Sequence, residues 1–183
     1  MLDFIEEYNL PEKICDDFIR YHKNNKEHRS LGYVGDVTGE VNINYKKSTD
    51  VYFFNSSNNK TVCKFFNYLS QAVRNYSLKY QLKLPVKTFI SNNIQHYKPG
   101  EGFPALHYER TSMSSLKREL VYMLYCNTLK NGGTHFPNQN KTLKAVKGKL
   151  YIWPAGFTHP HQGVICKTKE KYIVTGWFEN CEK

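Results

Sequence analysis

The tripeptide His107-Tyr108-Glu109 follows the turn-like stretch KPGEGFPAL and sets an imidazole and a carboxylate two residues apart. In an extended strand side chains alternate between faces, so both would point the same way and supply two vertices of a metal site. A third ligand from a distant strand would complete a 2-His-1-carboxylate triad with coordination positions left open for reactants. One H-x-E triplet is a weak signal, because such triplets are common on ordinary surfaces. His159 and His161, in WPAGFTHPHQG, form the only histidine pair in the C-terminal region. Either could be the third ligand, since both share a face if the segment is extended. Lys171 lies ten residues beyond His161, in KYIVTGWF. A hairpin between the two would put both side chains inside one barrel on neighbouring strands, where a lysine offers a point charge and three donors to a carboxylate. Counting from His159 slides the pair by two residues, roughly 7 Å at ordinary strand rise. The spacing therefore favours His161.

Two segments with helical periodicity precede these residues. Apolar positions at Leu10, Ile14, Phe18 and Tyr21 predict one helix, with Pro11 suited to its first turn. From Lys60 to Tyr80, apolar residues at Val62, Phe65, Phe66, Leu69, Ala72, Val73, Tyr76 and Tyr80 predict a long amphipathic helix. Between them Gly32, Gly35, Gly39 and Asn42 to Asn44 suggest short strands and turns. Beyond Pro85, β-rich runs dominate: Val86 to Lys98, Glu119 to Cys126, Thr142 to Val146, Lys149 to Trp153, Gly163 to Lys167 and Tyr172 to Phe178. Pro-Gly at 99–100, Asn-Gly-Gly at 131–133 and Lys-Gly at 147–148 separate them. Many short strands after two helices predict an α+β jelly roll buttressed by the helices, helical over about 1–85 and β over about 86–183.

The 183 residues suit a single domain with a real core, and 15% aromatic content is globular. No apolar run is long enough to span a membrane, and the acidic start MLDFIEEYNL does not resemble a signal peptide. A cytoplasmic location is expected. Five scattered cysteines without a C-x-x-C pair argue against a disulfide framework or a zinc site. The net charge of +10, with lysines recurring through Lys141, Lys144, Lys147, Lys149, Lys167 and Lys169, could attract nucleic acid or an acidic protein. The plainer reading makes many of them solvated faces of strands and turns.

From Asn93 to Phe178 the chain resembles the prolyl-4-hydroxylase-like branch of the iron(II)/2-oxoglutarate oxygenases. The matching pieces are QHYKPGEGFPALHYE, LVYMLYCN, NGGTHF, KGKLYIWPAGFTHPHQG and KYIVTGWF, in the family's order. The resemblance implies a double-stranded β-helix (cupin-like) with His107, Glu109 and His161 on iron and Lys171 on the distal carboxylate of 2-oxoglutarate. Tyr97 and Tyr125 look like the tyrosines that hydrogen-bond the cosubstrate. Two departures stand out: glutamate replaces the usual aspartate ligand, and NGGTHF lacks the acidic residue of the family's G-G-E-T-x-F. His159 and Trp177 are candidates for supporting the ligands from behind.

The implied reaction uses Fe(II), 2-oxoglutarate and O2, with ascorbate as an optional reductant, and couples oxidative decarboxylation to hydroxylation of a C–H bond. The leading substrate is a prolyl or other residue in a peptide or protein. A nucleic-acid-modifying oxygenase is the alternative suggested by the charge, and a non-catalytic β-helix binding module is a third reading.

Overall fold

The computed structural model describes residues 2–34, 40–83 and 85–181; Gly35 and Gly39, read above as turn positions, lie outside them. In chain order the elements are β1 (Glu6–Asn9), α1 (Glu12–Asn24), β2 (Arg29–Leu31), β3 (Thr49–Phe54), α2 (Lys60–Lys79), β4 (Val86–Thr88), β5 (Ser91–Tyr97), β6 (Arg118–Tyr125), β7 (Thr134–Phe136), β8 (Lys141–Leu143), β9 (Lys149–Pro154), β10 (Gln162–Gly163) and β11 (Lys171–Asn180).

A large antiparallel sheet runs β1-β9-β6-β11-β5-β3-β2, with β4 also paired to β11, and a small sheet runs β10-β7-β8. The strand LVYMLY of β6 shows how one sheet serves two cores. Leu120, Tyr122 and Leu124 join α1 and α2 in one buried cluster. Their alternates Val121 and Tyr125 join Phe136 and Leu143 of the small sheet in another. Because both faces are covered, the strand reads as an unbroken apolar run and not as an alternation. The helices thus back the large sheet on one side while the small sheet closes over the other.

Both helices form where periodicity puts them. Asn59 caps α2, its side chain accepting from the Thr61 and Val62 amides. Pro11 sits one position earlier than expected, as the residue before the first turn of α1. The run Val86 to Lys98 is broken at residues 89–90, yet β4 and β5 both pair with β11. Two predicted strands shrink. Thr142 to Val146 becomes β8, because residues after Leu143 turn back, with the Val146 amide donating to Lys144 O. Gly163 to Lys167 becomes the two-residue β10. Past it, Val164 N bonds Gly133 O and Gly100 N bonds Cys166 O as the chain crosses between sheets. Gly133 has no freedom to be anything larger, since a Cβ there would lie 1.8 Å from Leu143 O.

The hairpin predicted between His161 and Lys171 is not formed. His161 precedes β10 in the small sheet, whereas Lys171 opens β11 in the large one, against Tyr97 of β5. The two residues reach one cavity from opposite sheets. Among the described residues no helix is long and apolar enough to cross a membrane.

Candidate active site

His107 and His161 meet as a single antiparallel bridge: His107 N donates to His161 O at 3.0 Å, and His161 N to His107 O at 2.8 Å. The H-x-E segment is therefore not a strand but an extended loop pinned at one point to the small sheet. The Glu109 and Arg110 amides both donate to Ala155 O just after β9, which fixes the loop a second time. The predicted common face holds nonetheless. Glu109 Oε1 lies 3.6 Å from His107 Nε2 and 3.6 Å from His161 Nε2. One donor atom from each of the three residues falls within 4.8 Å of the others, spacing that admits a single ion.

Each imidazole is oriented from behind. His107 Nδ1 bonds Ala105 O at 2.8 Å and His161 Nδ1 bonds His159 O at 3.0 Å. Carbonyl oxygens only accept, so both Nδ1 atoms carry the proton and both Nε2 atoms turn a lone pair to the centre. Phe103 stacks on the His107 ring at 3.9 Å, and Phe136 and Trp153 flank that of His161 at 5.2 and 5.1 Å. Burial lowers the His107 imidazole below its usual range, against the pull of Glu109, which keeps it in the neutral, ligating form.

Burial would raise the Glu109 carboxyl, but attraction from the His161 and His107 rings and the Arg118 guanidinium outweighs it and brings it down to about 2. Its outer oxygen Oε2 accepts from the Trp177 indole at 2.9 Å. Arg118 lies 4.0 Å over the same indole. Trp177 is thus hydrogen-bonded to the carboxylate from behind. His159 does not act through its ring: Nε2 bonds Asp3 O at 2.8 Å, and only its backbone carbonyl serves His161.

The triad opens into a cavity of about 860 Å³, ample for a small organic acid with part of a larger substrate. Lys171 lines it at 5% exposure. Its ammonium stands 4.6 Å from the centre of the Tyr97 ring and makes one long bond, 3.4 Å, to Val164 O. Tyr97 lines the cavity, but its hydroxyl donates to Gln95 Oε1. Tyr125 stands one residue behind the wall; its hydroxyl meets Thr134 Oγ1 at 2.6 Å, and Thr134 faces the cavity. Thr134, Asn93 and Gln95 were not singled out by the sequence. The two amides share a face of β5 with Tyr97, so the alternation of N-x-Q-x-Y was a usable signal.

Residues 93–179 match the model of the 2OG-Fe(II) oxygenase superfamily. This segment is a 2OG-Fe(II) oxygenase domain. A sequence comparison with curated proteins finds no match. Among solved structures, the chain is similar to a Pseudomonas putida prolyl-4-hydroxylase at 13% identity and TM-score 0.74, covering 98% of this chain and 94% of that one. A viral collagen prolyl hydroxylase from Paramecium Bursaria Chlorella virus-1, in complex with 2OG, gives 18% identity, TM-score 0.72 and 97% coverage of each. A Trichoplax adhaerens prolyl hydroxylase bound to a hypoxia inducible factor peptide fragment gives 12% identity, TM-score 0.76 and coverage of 97% and 84%. Identities this low carry the fold alone, and the fold is the jelly roll expected. The oxygenase is a 2-oxoglutarate-dependent dioxygenase of prolyl-4-hydroxylase-like architecture, with Fe(II), 2-oxoglutarate and O2 as its reactive set. The donor set fits the metal: two neutral imidazoles and an ionised carboxylate suit iron(II) with open positions.

Proposed function

We propose that the enzyme hydroxylates a prolyl or other side chain in a peptide or protein, with His107, Glu109 and His161 holding iron(II) and Lys171 holding 2-oxoglutarate. The observation that carries the site assignment is the cavity that joins an ionised carboxylate between two Nε2 atoms to a buried, nearly unpartnered lysine. When bound, iron(II) and 2-oxoglutarate would activate dioxygen, the oxidant, for C–H hydroxylation. The chain's own residues do the positioning. Lys171 gives a carboxylate a charge-assisted bond in a site of low dielectric, and the Tyr97 ring supports the ammonium from below. Tyr125 fixes the Thr134 hydroxyl, which can turn toward the cosubstrate. Trp177 keeps Glu109 from swinging away from the histidines.

A peptide substrate is supported by the rim. Tyr33, Tyr45, Tyr52 and Tyr108 line the cavity while remaining partly exposed, and aromatic-lined grooves suit extended, proline-containing chains. The nucleic-acid alternative loses part of its motive. Lys141, Lys147 and Lys149, half of the basic group in the C-terminal region, pair with Asp3, Asp16 and Glu7 and fasten the N-terminal segment. A cytoplasmic setting accords with five unpaired cysteines. The test is mass spectrometry for a +16 Da product on broad peptide and oligonucleotide panels, with succinate measured alongside. A hydroxylated peptide is expected, whereas oxidation confined to oligonucleotides reverses the substrate assignment.

A further inference from the structure

A continuous polar chain runs through the cavity wall and ends in a buried ion pair outside the metal centre. Lys46, 4% exposed, donates to Asp50 Oδ2 at 2.8 Å, and Ser48 donates to Asp50 Oδ1 at 2.8 Å, the aspartate being wholly buried. Asn93 Nδ2 also donates to Asp50 Oδ2, at 3.3 Å. Gln95 Nε2 then donates to Asn93 Oδ1 at 3.3 Å, and the Tyr97 hydroxyl donates to Gln95 Oε1. Gly32 leaves room for this arrangement: a Cβ there would lie 2.2 Å from Ser48 Oγ and 2.7 Å from Lys46 Cε.

The direction of this chain follows from its first member. An ionised carboxylate only accepts, so Asn93 must turn its NH2 to Asp50 and its carbonyl to Gln95. Gln95 must then present NH2 to Asn93 and its carbonyl to Tyr97. Tyr97 is left one choice, which is to donate. Each amide flip is dictated by the one before it, and the buried charge at the far end sets them all.

We propose that Asp50, fixed by Lys46 and Ser48, is a positioning residue that orients the Asn93–Gln95–Tyr97 row and commits the Tyr97 proton to Gln95, so that Tyr97 turns a lone pair and not a donor to the cosubstrate. This rests on the assignment of the Lys171 end of the cavity to 2-oxoglutarate. It replaces the hydrogen bond from Tyr97 to the cosubstrate that the family resemblance implies. Tyr97 then serves through its ring, and the carboxylate is left to Lys171.

Calorimetry of 2-oxoglutarate binding to the manganese(II)-loaded protein under nitrogen, where no turnover occurs, tests this. Tyr97→Phe keeps the ring and is expected to change Kd less than about threefold, the scale of a minor hydrogen-bond change. Gln95→Met removes the acceptor and frees the phenol, so binding is expected to tighten about three- to tenfold. The gain is expected to vanish in Gln95→Met/Tyr97→Phe. A purely structural role for the row predicts a loss and not a gain. The double variant Lys46→Met/Asp50→Asn removes the ion pair without stranding the lysine charge, and it is expected to show the same Tyr97-dependent gain. A tenfold or greater weakening in Tyr97→Phe alone overturns the inference, as does a Gln95→Met variant that binds no tighter than wild type. Lys171→Ala separates the two levels. Wild-type binding that is lost in Lys171→Ala leaves the site assignment standing whatever Tyr97 does; no binding by the wild type removes both.

Discussion

Lys171 and Tyr97 are direct partners across the antiparallel β11–β5 pair, and the lysine ammonium lies against the tyrosine ring with only one long bond to a carbonyl. A buried ammonium so poorly partnered is destabilised in its charged form. Burial pushes it down to about 8, against a smaller opposing pull from Cys166. An anion arriving beside it restores what burial removed.

That relationship gives a pH dependence with a definite sign. The protonated lysine binds the carboxylate, and the free site loses its proton above about 8. Binding raises the lysine pKa, so 2-oxoglutarate affinity is expected to hold below that pH and to fall by up to about tenfold per unit above it. Lys171→Met is expected to bind weakly with no such slope between pH 7.5 and 9.5. Calorimetry across that range checks both, and an unchanged slope in the variant removes Lys171 from the site.

For Glu109, Glu109→Gln is expected to abolish succinate release while leaving the fold intact by circular dichroism. Glu109→Asp keeps the ligand type with shorter reach and is expected to retain partial activity. Trp177→Phe takes away the indole donor on Oε2 and is expected to weaken metal binding about 10–100-fold. Competition titration with a chromophoric chelator measures that loss, and undiminished affinity would show that the 2.9 Å bond has no part in holding the carboxylate.

The two histidines of the T-H-P-H segment are expected to separate cleanly. His161→Ala should abolish metal binding. His159→Ala leaves the carbonyl that orients His161 and removes the ring bonds to Asp3 O and Thr158 Oγ1. Its metal affinity is expected to stay within about threefold, with a stability loss on the order of 1 kcal/mol. Chemical denaturation and metal titration of the pair test this, and the assignment fails if His159→Ala loses metal as His161→Ala does.

At the small sheet, Thr134→Val is expected to weaken 2-oxoglutarate binding more than Tyr125→Phe, because Thr134 faces the cavity and Tyr125 acts through it. Side-by-side binding isotherms decide, and the reverse order would bring Tyr125 into direct contact with the cosubstrate.

Much of the site was legible because its chemistry is written in residue type and short spacing. His107 and Glu109 needed only an extended backbone, and α2 announced itself through Val62, Phe65, Leu69, Ala72 and Tyr76, all buried. What eluded the sequence was sheet membership. The step from His161 to Lys171 has the length of a hairpin, yet glycine-assisted crossing loops send its ends to different sheets, and linear spacing carries no sign of that choice. β1 went unread because its two glutamates, Glu6 and Glu7, lie on an edge strand, where they reach Lys79 and Lys149. Lys46 lies just before β3 and Asp50 is that strand's second residue, in a polar stretch that reads as loop, and only tertiary closure makes the pair interior.

The single bridge between His107 and His161 also bears on how fast metal can come and go. Two of the three donors ride on residues 98–117, a long connection with one short 3-10 turn at Met113–Ser115, fastened near the donors by the bridge and by the amides at 109 and 110. Connections outside the regular strands and helices open below the cost of global unfolding. One such opening would release an imidazole and the carboxylate together and leave His161 a lone ligand. Metal exchange would then be gated by fluctuation of this connection, its rate following amide-hydrogen exchange at residues 107–110 and not the strength of any one coordinate bond.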